Sequence, residues 1–290
     1  MYRFIVNPVA GGGRSVKKFM EIEQALIKHG VTYDAYHTQG ESHAVQLAQQ
    51  AVKDGADAVV CVGGDGTVKE TALGLFKSGV PLGILPTGTG NDYVRSLGIH
   101  SDHIQALEQM LQGRPVWVDV GFAGEKMFIN AAGIGFDVDV CMHTQSFNKR
   151  FKGMTAYYLG VIKALIKLKG KHLKLTQTDG RVIEKDVLLV AFGNGSHFGG
   201  GMRVCPDARI DDGLLDVCVI NSVPRRTILR LFPKFISGEH LKMDIVEYFR
   251  CEEVMVTSNA PFMQLDGTVT PFQNGTLRIQ KNGICVIVPA

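Results

Sequence analysis

Apolar positions fall into two rhythms along the chain. Through about residue 115, short apolar runs alternate with helical patterns. Residues 3–7, 31–38, 58–62 and 81–86 read as strands. Helical spacing fills 15–29, with Phe19, Ile22, Leu26 and Ile27 expected on the inner face. Further helices are predicted from 42, over 67–77, and near 91–97 and 101–112. Strand alternating with helix predicts a parallel sheet covered on both faces. Beyond Pro115 the period shortens. Residues 116–120, 126–130, 173–178, 182–193, 214–220, 246–258, 277–280 and 284–288 read as strands. They are separated by turn signals such as Asp212-Gly213 and Asn282-Gly283. This half predicts an antiparallel β-sandwich or open barrel with helical insertions over 139–168 and 224–236. The expected division is an α/β nucleotide-binding domain, 1–115, and a β-sandwich domain, 116–290, whose last strands have the option of returning toward the first domain.

Composition narrows the class. Apolar residues make up 45% of the 290 and charged residues 20%, which excludes a disordered chain. The longest uncharged run, 187–202, is interrupted by Asn194, Ser196 and His197, and falls short of the ~20 apolar residues a membrane span needs. The opening MYRFIVNPVAGGG has too short an apolar run for a signal peptide. Six scattered cysteines without a CxxC pair argue against a zinc site or a disulfide framework, and suit a reducing, cytoplasmic setting. Charge is concentrated rather than spread. Lys149, Arg150, Lys152, Lys163, Lys167, Lys169, Lys171 and Lys174 share a stretch that contains no acid. Mixed with bulky apolar residues, this 149–174 region suits peripheral contact with anionic lipid; a core helix with a solvated basic edge is the alternative. A nucleic-acid surface is not expected, because aromatics and cations are not interleaved on strands.

Three glycine turns leave three strand ends. Gly63-Gly64-Asp65-Gly66-Thr67 follows the third strand, where ligands of open α/β sheets bind. Its glycines permit close approach of a phosphate, and the helix after it offers free N–H groups. Asp65 suits a Mg²⁺, a ribose hydroxyl or an acceptor proton; a simple helix cap is the plainer reading. Thr87-Gly88-Thr89-Gly90-Asn91-Asp92 leaves the fourth strand, with capping by Asn91 or Asp92 as its plainer reading. Asn7-Pro8-Val9-Ala10-Gly11-Gly12-Gly13-Arg14 leaves the first. GxxxxGK[ST] and a GxGxxG after the first strand are both absent. In the second half, Asp207, Asp211, Asp212 and Asp216 surround a turn and are candidates for a hard cation or a plain acidic hairpin. Asp266, in Gln264-Leu265-Asp266-Gly267, ends an apolar strand and is either a poised base or a cap for its own turn.

The order NPxxGxG, GGDGT, LPxGTxND, DG and LDG, running from Asn7 to Gly267, resembles the diacylglycerol kinase catalytic-domain family, in particular small soluble bacterial lipid kinases. GGDGT is shared with NAD kinases and phosphofructokinases; its union with GTGND is more specific. The resemblance implies an ATP-dependent kinase of two domains with nucleotide in the cleft between them. It implies that Asn7, Pro8, Val9, Ala10, Gly11, Thr38, Gly63, Gly64, Asp65, Gly66, Thr67, Val68, Lys69, Thr89 and Asp92 line the nucleotide. Asp65 and Asp92, joined by Asp119, would belong to a water-bridged network around a catalytic Mg²⁺. A structural Mg²⁺ would rest on the Asp212 side chain and the carbonyls of Arg209 and Leu214. The family's LDGE motif supplies a proton acceptor, yet Thr268 stands here in place of its glutamate. Asp266 becomes the preferred base and Asp65 the second choice. The acceptor would be a membrane lipid of diacylglycerol or related type, which places the enzyme in the cytoplasm, peripheral at the inner face of the membrane. The alternatives are an NAD kinase-like enzyme and a lipid-binding protein that has lost its acid/base.

Overall fold

Phe4, Ile5 and Val6 have no solvent exposure. Their strand, β1 (Tyr2–Val6), runs through the middle of a parallel sheet, so an unbroken apolar run is what both of its covered faces require. The chain continues through α1 (Arg14–Lys28), β2 (Tyr33–His37), α2 (His43–Lys53), β3 (Ala58–Gly63), α3 (Asp65–Gly74), β4 (Leu82–Pro86), α4 (Asp92–Ser96), α5 (His103–Gln112) and β5 (Arg114–Ala123). β1 pairs in parallel with both β2 and β3, and β3 with β4. α1 buries Phe19, Ile22 and Leu26 as its spacing predicts. Ile27 is 73% exposed, because it lies just past the edge of that inward stripe.

The computed structural model describes residues 1–147 and 154–290, in two units. The first is Met1–Asp119 together with Lys281–Ala290; the second is Val120–Gln280. The final residues complete the first sheet, where Val286 pairs in parallel with Leu82 of β4.

The second unit holds β6 (Lys126–Phe128), β7 (Ala131–Gly135), α6 (Phe136–Phe147), α7 (Met154–Ile166), β8 (Lys171–Gln177), β9 (Val182–Gly193), β10 (Leu215–Asn221), α8 (Arg225–Ser237), β11 (Val246–Cys251), β12 (Glu253–Ser258), β13 (Phe262–Leu265), β14 (Thr268–Pro271) and the first half of β15 (Gly275–Val288). Its ladders are antiparallel: β13 with β14 and β7, β7 and β8 with β9, β9 with β10, β10 with β11, and β12 with β8 and β15. Alternate residues serve two cores. Ala132, Ile134, Val190, Phe192, Val217, Met263 and Leu265 pack inside the β-sandwich. Ala131, Leu189, Ala191 and Cys218 face Phe136, Val140, Val161 and Phe235 of the helices. The molecule is thus an α/β domain plus a β-sandwich-like domain.

Three local expectations give way. Residues 246–258 are two strands, broken at Glu252. The helical insertion begins at Phe136 rather than 139, immediately after β7, a strand the alternation rule passes over because AAGIG alternates in size rather than polarity. Asn282-Gly283 is no chain-reversing turn: β15 continues through it with a kink. Asn282 takes a left-handed φ of 53°, its N–H is accepted by Asp119 Oδ1 at 2.9 Å, and Gly283 O accepts from Lys77 N at 2.8 Å. Tertiary partners outweigh the local turn signal. All six cysteines are free. No helix among the described residues is long and apolar enough to cross a membrane.

Candidate active site

The three glycine turns meet at the carboxyl edge of the parallel sheet. Asn7 N donates to Val62 O at 3.0 Å, and Asn7 Nδ2 to Thr67 Oγ1 at 2.8 Å, fastening the first turn to the second. Thr38 N donates to Val6 O at 2.9 Å, which sets the end of β2 beside them. Thr87 N donates to Gly63 O at 2.8 Å. Two contacts tolerate no side chain. A Cβ on Gly88 would stand 2.5 Å from Gly64 Cα, and one on Gly11 (φ +60°) would stand 2.3 Å from Thr87 O. The glycines therefore let three backbones touch each other as well as a ligand. Arg14 folds back so that Nε donates to Gly11 O at 2.8 Å, bracing the first turn.

Asp65 joins the second turn to the third. Although it begins α3, its carboxylate accepts from the N–H groups of Asn91 (2.7 Å), Asp92 (2.8 Å) and Tyr93 (3.3 Å). The capping role left open for Asn91 and Asp92 is thus performed by a residue 26 positions earlier. Burial, then the neighbouring Asp92 charge, raises the Asp65 pKa above the ordinary carboxylate range, against the opposing pull of the three N–H bonds. Asp92 in turn lies 3.7 Å from Arg95. Crowded carboxylates of this kind fit a divalent cation, which would relieve their repulsion. Because both Asp65 oxygens are already engaged, water-bridged contact suits the site better than direct ligation. Val68 is 1% exposed, so only its backbone can reach a ligand, while Gly66 and Thr89 are exposed.

In the second unit, Asp266 and Gly267 form the two-residue turn between β13 and β14, with φ of 49° and 78°. Positive φ at both positions is the hairpin turn that matches strand twist. Asp266 caps the start of β7 rather than its own turn. Its carboxylate accepts from Ile129 N (3.0 Å), Asn130 N (2.9 Å) and Ala131 N (3.1 Å). Asn130 Nδ2 donates to His197 O at 2.7 Å, and Asn194 Nδ2 to Ile129 O at 2.7 Å, which knits 129–131 to the loop after β9. Thr268 is exposed at the head of β14.

Asp137, Gln264, Asn130 and Asn194 escape a sequence reading, since none lies in a glycine turn. The one available signal is a polar residue inside an apolar run. Gln264 Oε1 accepts from Gly267 N at 2.8 Å, and Gln264 Nε2 donates to Asp137 Oδ2 at 3.2 Å. Burial pushes the Asp137 carboxyl up to about 7.

Three of the four acids in the 207–216 stretch divide their tasks. Asp216 is fully buried; its Oδ1 accepts from Tyr248 Oη at 2.6 Å and from Arg250 Nε at 2.9 Å. Asp211 pairs with Arg209 at 3.4 Å. Asp212 Oδ1 accepts from Leu214 N at 3.0 Å within the turn. Among the described residues, no group of three or more histidine, cysteine or acidic side chains is arranged for a metal. A cation here would rest on one carboxylate with backbone carbonyls, an all-oxygen set that suits a hard ion.

Comparisons with known proteins give the family. Residues 1–123 match the model of the diacylglycerol kinase catalytic domain, and residues 130–288 that of the YegS C-terminal NAD kinase beta sandwich-like domain. The chain is 33% identical over 271 residues to a diacylglycerol kinase of Mycobacterium tuberculosis, covering 91% of this chain and 87% of that one. It is 30% identical over 258 residues to a diacylglycerol kinase of Staphylococcus aureus, covering 88% and 82%. A crystal structure of a diacylglycerol kinase from Bacillus anthracis superimposes with a TM-score of 0.78 at 25% identity, covering 99% of this chain and 96% of that one. With both of its domains matched, this chain belongs to the diacylglycerol kinase family, a family of lipid kinases.

Proposed function

We propose that the protein is an ATP-dependent kinase that transfers the γ-phosphate to the hydroxyl of a membrane lipid of diacylglycerol type. The observation that carries this reading is the meeting of three glycine turns, backbone against backbone, with Asp65 binding the second to the third. Such a cluster offers N–H groups and little side-chain bulk, which suits a polyphosphate. Asn7, Pro8, Val9, Ala10, Gly11, Thr38, Gly63 to Lys69, Thr89 and Asp92 are the residues proposed to line the nucleotide. Asp65 and Asp92 would hold Mg²⁺ through water, and the ion would neutralise charge on the phosphates. A second Mg²⁺ is proposed at Asp212 with the carbonyls of Arg209 and Leu214, as a brace for the turn. Phosphoryl transfer needs positioning and charge neutralisation more than covalent help. Asp65 contributes by fixing the Asn91–Tyr93 backbone, and Asp266 by fixing residues 129–131.

The acceptor is proposed to arrive from a bilayer. On α7, Tyr158, Ile162 and Ile166 are exposed along one stripe, with Lys163, Lys167 and Lys169 nearby in sequence. Apolar residues among cations fit an anionic lipid surface. Lys149, Arg150 and Lys152 of the same basic stretch lie outside the described residues.

Labelled ATP supplied with mixed membrane lipids and NAD tests the reading. Labelled lipid is the expected outcome. Label in the dinucleotide alone would establish the NAD kinase alternative, and label in neither would reduce the chain to a binding protein.

A further inference from the structure

We infer that Glu70 is a positioning residue for the nucleotide: by capping α2 it holds the turn between Thr38 and Ser42 in place. The inference rests on the nucleotide site proposed above, which includes Thr38 but not Glu70.

That turn leaves β2 at the same carboxyl edge as the three glycine turns. It is held in a different way. A Cβ on Gly40 would meet nothing within 4 Å, so close packing does not fix its tip. Its start is held by the bond from Thr38 N to Val6 O. Within it, Gln39 N donates to His43 Nδ1 at 2.9 Å, and His43 N to Gly40 O at 3.4 Å. Its far end has no support of its own. Ser42 precedes α2 in a left-handed conformation, with φ of 63°, and its side chain caps nothing. The first turn of α2 carries no acid either. Such backbone is disfavoured for serine and persists only where neighbours enforce it.

Glu70, from the middle of α3, supplies that support. Its Oε1 accepts from Ser42 N at 3.0 Å and its Oε2 from Ala44 N at 3.3 Å. One carboxylate thus spans the start of α2, where negative charge also suits the helix dipole. One helical turn further along the same face of α3 is Gly74. A Cβ there would stand 2.6 Å from both Ala48 Cβ and Val45 O. α3 therefore presses against α2 at Gly74 and grips its first N–H groups at Glu70.

Asp65, at the start of the same helix, holds α4 by the same means. In the strand order β4–β3–β1–β2, the turns after β4 and β2 are the outer two, and α3 fixes both. A group that binds a ligand contributes fully only when it is in place beforehand; otherwise binding has to order it and affinity falls. Loss of Glu70 should thus weaken the hold on ATP and leave the transfer step itself alone.

The test uses the full chain. ATP binding is measured by nucleotide titration, and KM for ATP and kcat on diacylglycerol vesicles are measured separately. Glu70→Ala should raise both the Kd and the KM for ATP by about tenfold or more, with kcat at saturating ATP within about threefold. A KM that rises at unchanged kcat marks lost binding. A merely structural residue would instead reduce the amount of active enzyme, lowering kcat at unchanged KM, and that outcome overturns the inference. So does a Kd within about twofold of wild type. Glu70→Gln is the second variant, for use also if Glu70→Ala does not fold. It keeps one accepting oxygen of the two, so its Kd should lie between those of wild type and Glu70→Ala, and clearly above wild type. A wild-type Kd in Glu70→Gln, or a Kd equal to that of a folded Glu70→Ala, overturns the inference. Wild-type protein that binds no ATP defeats the nucleotide site itself, whereas tight ATP binding by Glu70→Ala defeats only this assignment.

Discussion

The turn cluster of the first unit and the Asp137–Gln264–Asp266 group of the second use the same parts in opposite ways. In the first, glycines bring backbones together and the aspartate at the centre is satisfied by N–H groups, so the charge that is missing belongs to a ligand. In the second, a glycine makes room for a carboxylate, and burial outweighs the donors that reach it. One region is arranged to receive negative charge; the other buries a carboxylate and raises its pKa to about 7. Aspartate identity therefore says little about role; the depth of burial set against the N–H groups aimed at each carboxylate says more.

The comparison breaks first at Asp266. Asp266→Ala leaves three backbone N–H groups of the β6–β7 connection without their acceptor. At ~1–3 kcal/mol for each group that stays dry, a loss of about 3 kcal/mol or more is expected, read as a lowered urea midpoint at unchanged slope. ATP affinity should survive, because the nucleotide residues are in the other unit. Gly11→Ala probes the opposite region. It combines a left-handed φ, which costs an L-residue roughly 1–2 kcal/mol, with a Cβ 2.3 Å from Thr87 O. ATP binding should weaken by about tenfold or more, measured by nucleotide titration. Gly66→Ala is the control: nothing lies within 4 Å of its Cβ and its φ is ordinary, so the fold should be untouched.

Asp137 also leaves a signature on stability. Its folded pKa of about 7 stands above the unfolded value of 3.8. Between those values the folded chain holds more protons than the unfolded one, so this residue makes stability fall as pH rises from about 4 to 7. Asp137→Asn should flatten that slope in urea titrations at pH 5 and 7.5. The smallest expected effect lies at the proposed membrane face. Lys163→Glu with Lys167→Glu should weaken binding to anionic vesicles by ~1 kcal/mol per residue at low salt, with the difference closing as salt is raised.

The turn cluster was legible in sequence because each motif is contiguous and sits at a strand end, so strand order alone assembles it. What sequence could not show was which partner each side chain would choose. Asp65 caps a helix that it does not adjoin in sequence, and Asp266 caps a strand 135 to 137 residues away. Asp137 was invisible because its partners, Gly133 and Gln264, acquire meaning only through the β7–β13 register. β7 itself hides among small residues, and Asn282-Gly283 carries a turn signal that Asp119 and Lys77 convert into a kink within a strand.

That kink introduces the segment that finishes the first unit, and this has a consequence for synthesis. β4 receives its outer neighbour only from residues 281–290, made after the whole second unit has been synthesised. Until then an apolar edge that will later cover Ile284 and Val286 stays open, so the nascent N-terminal half is the stage at which chaperones have most to hold.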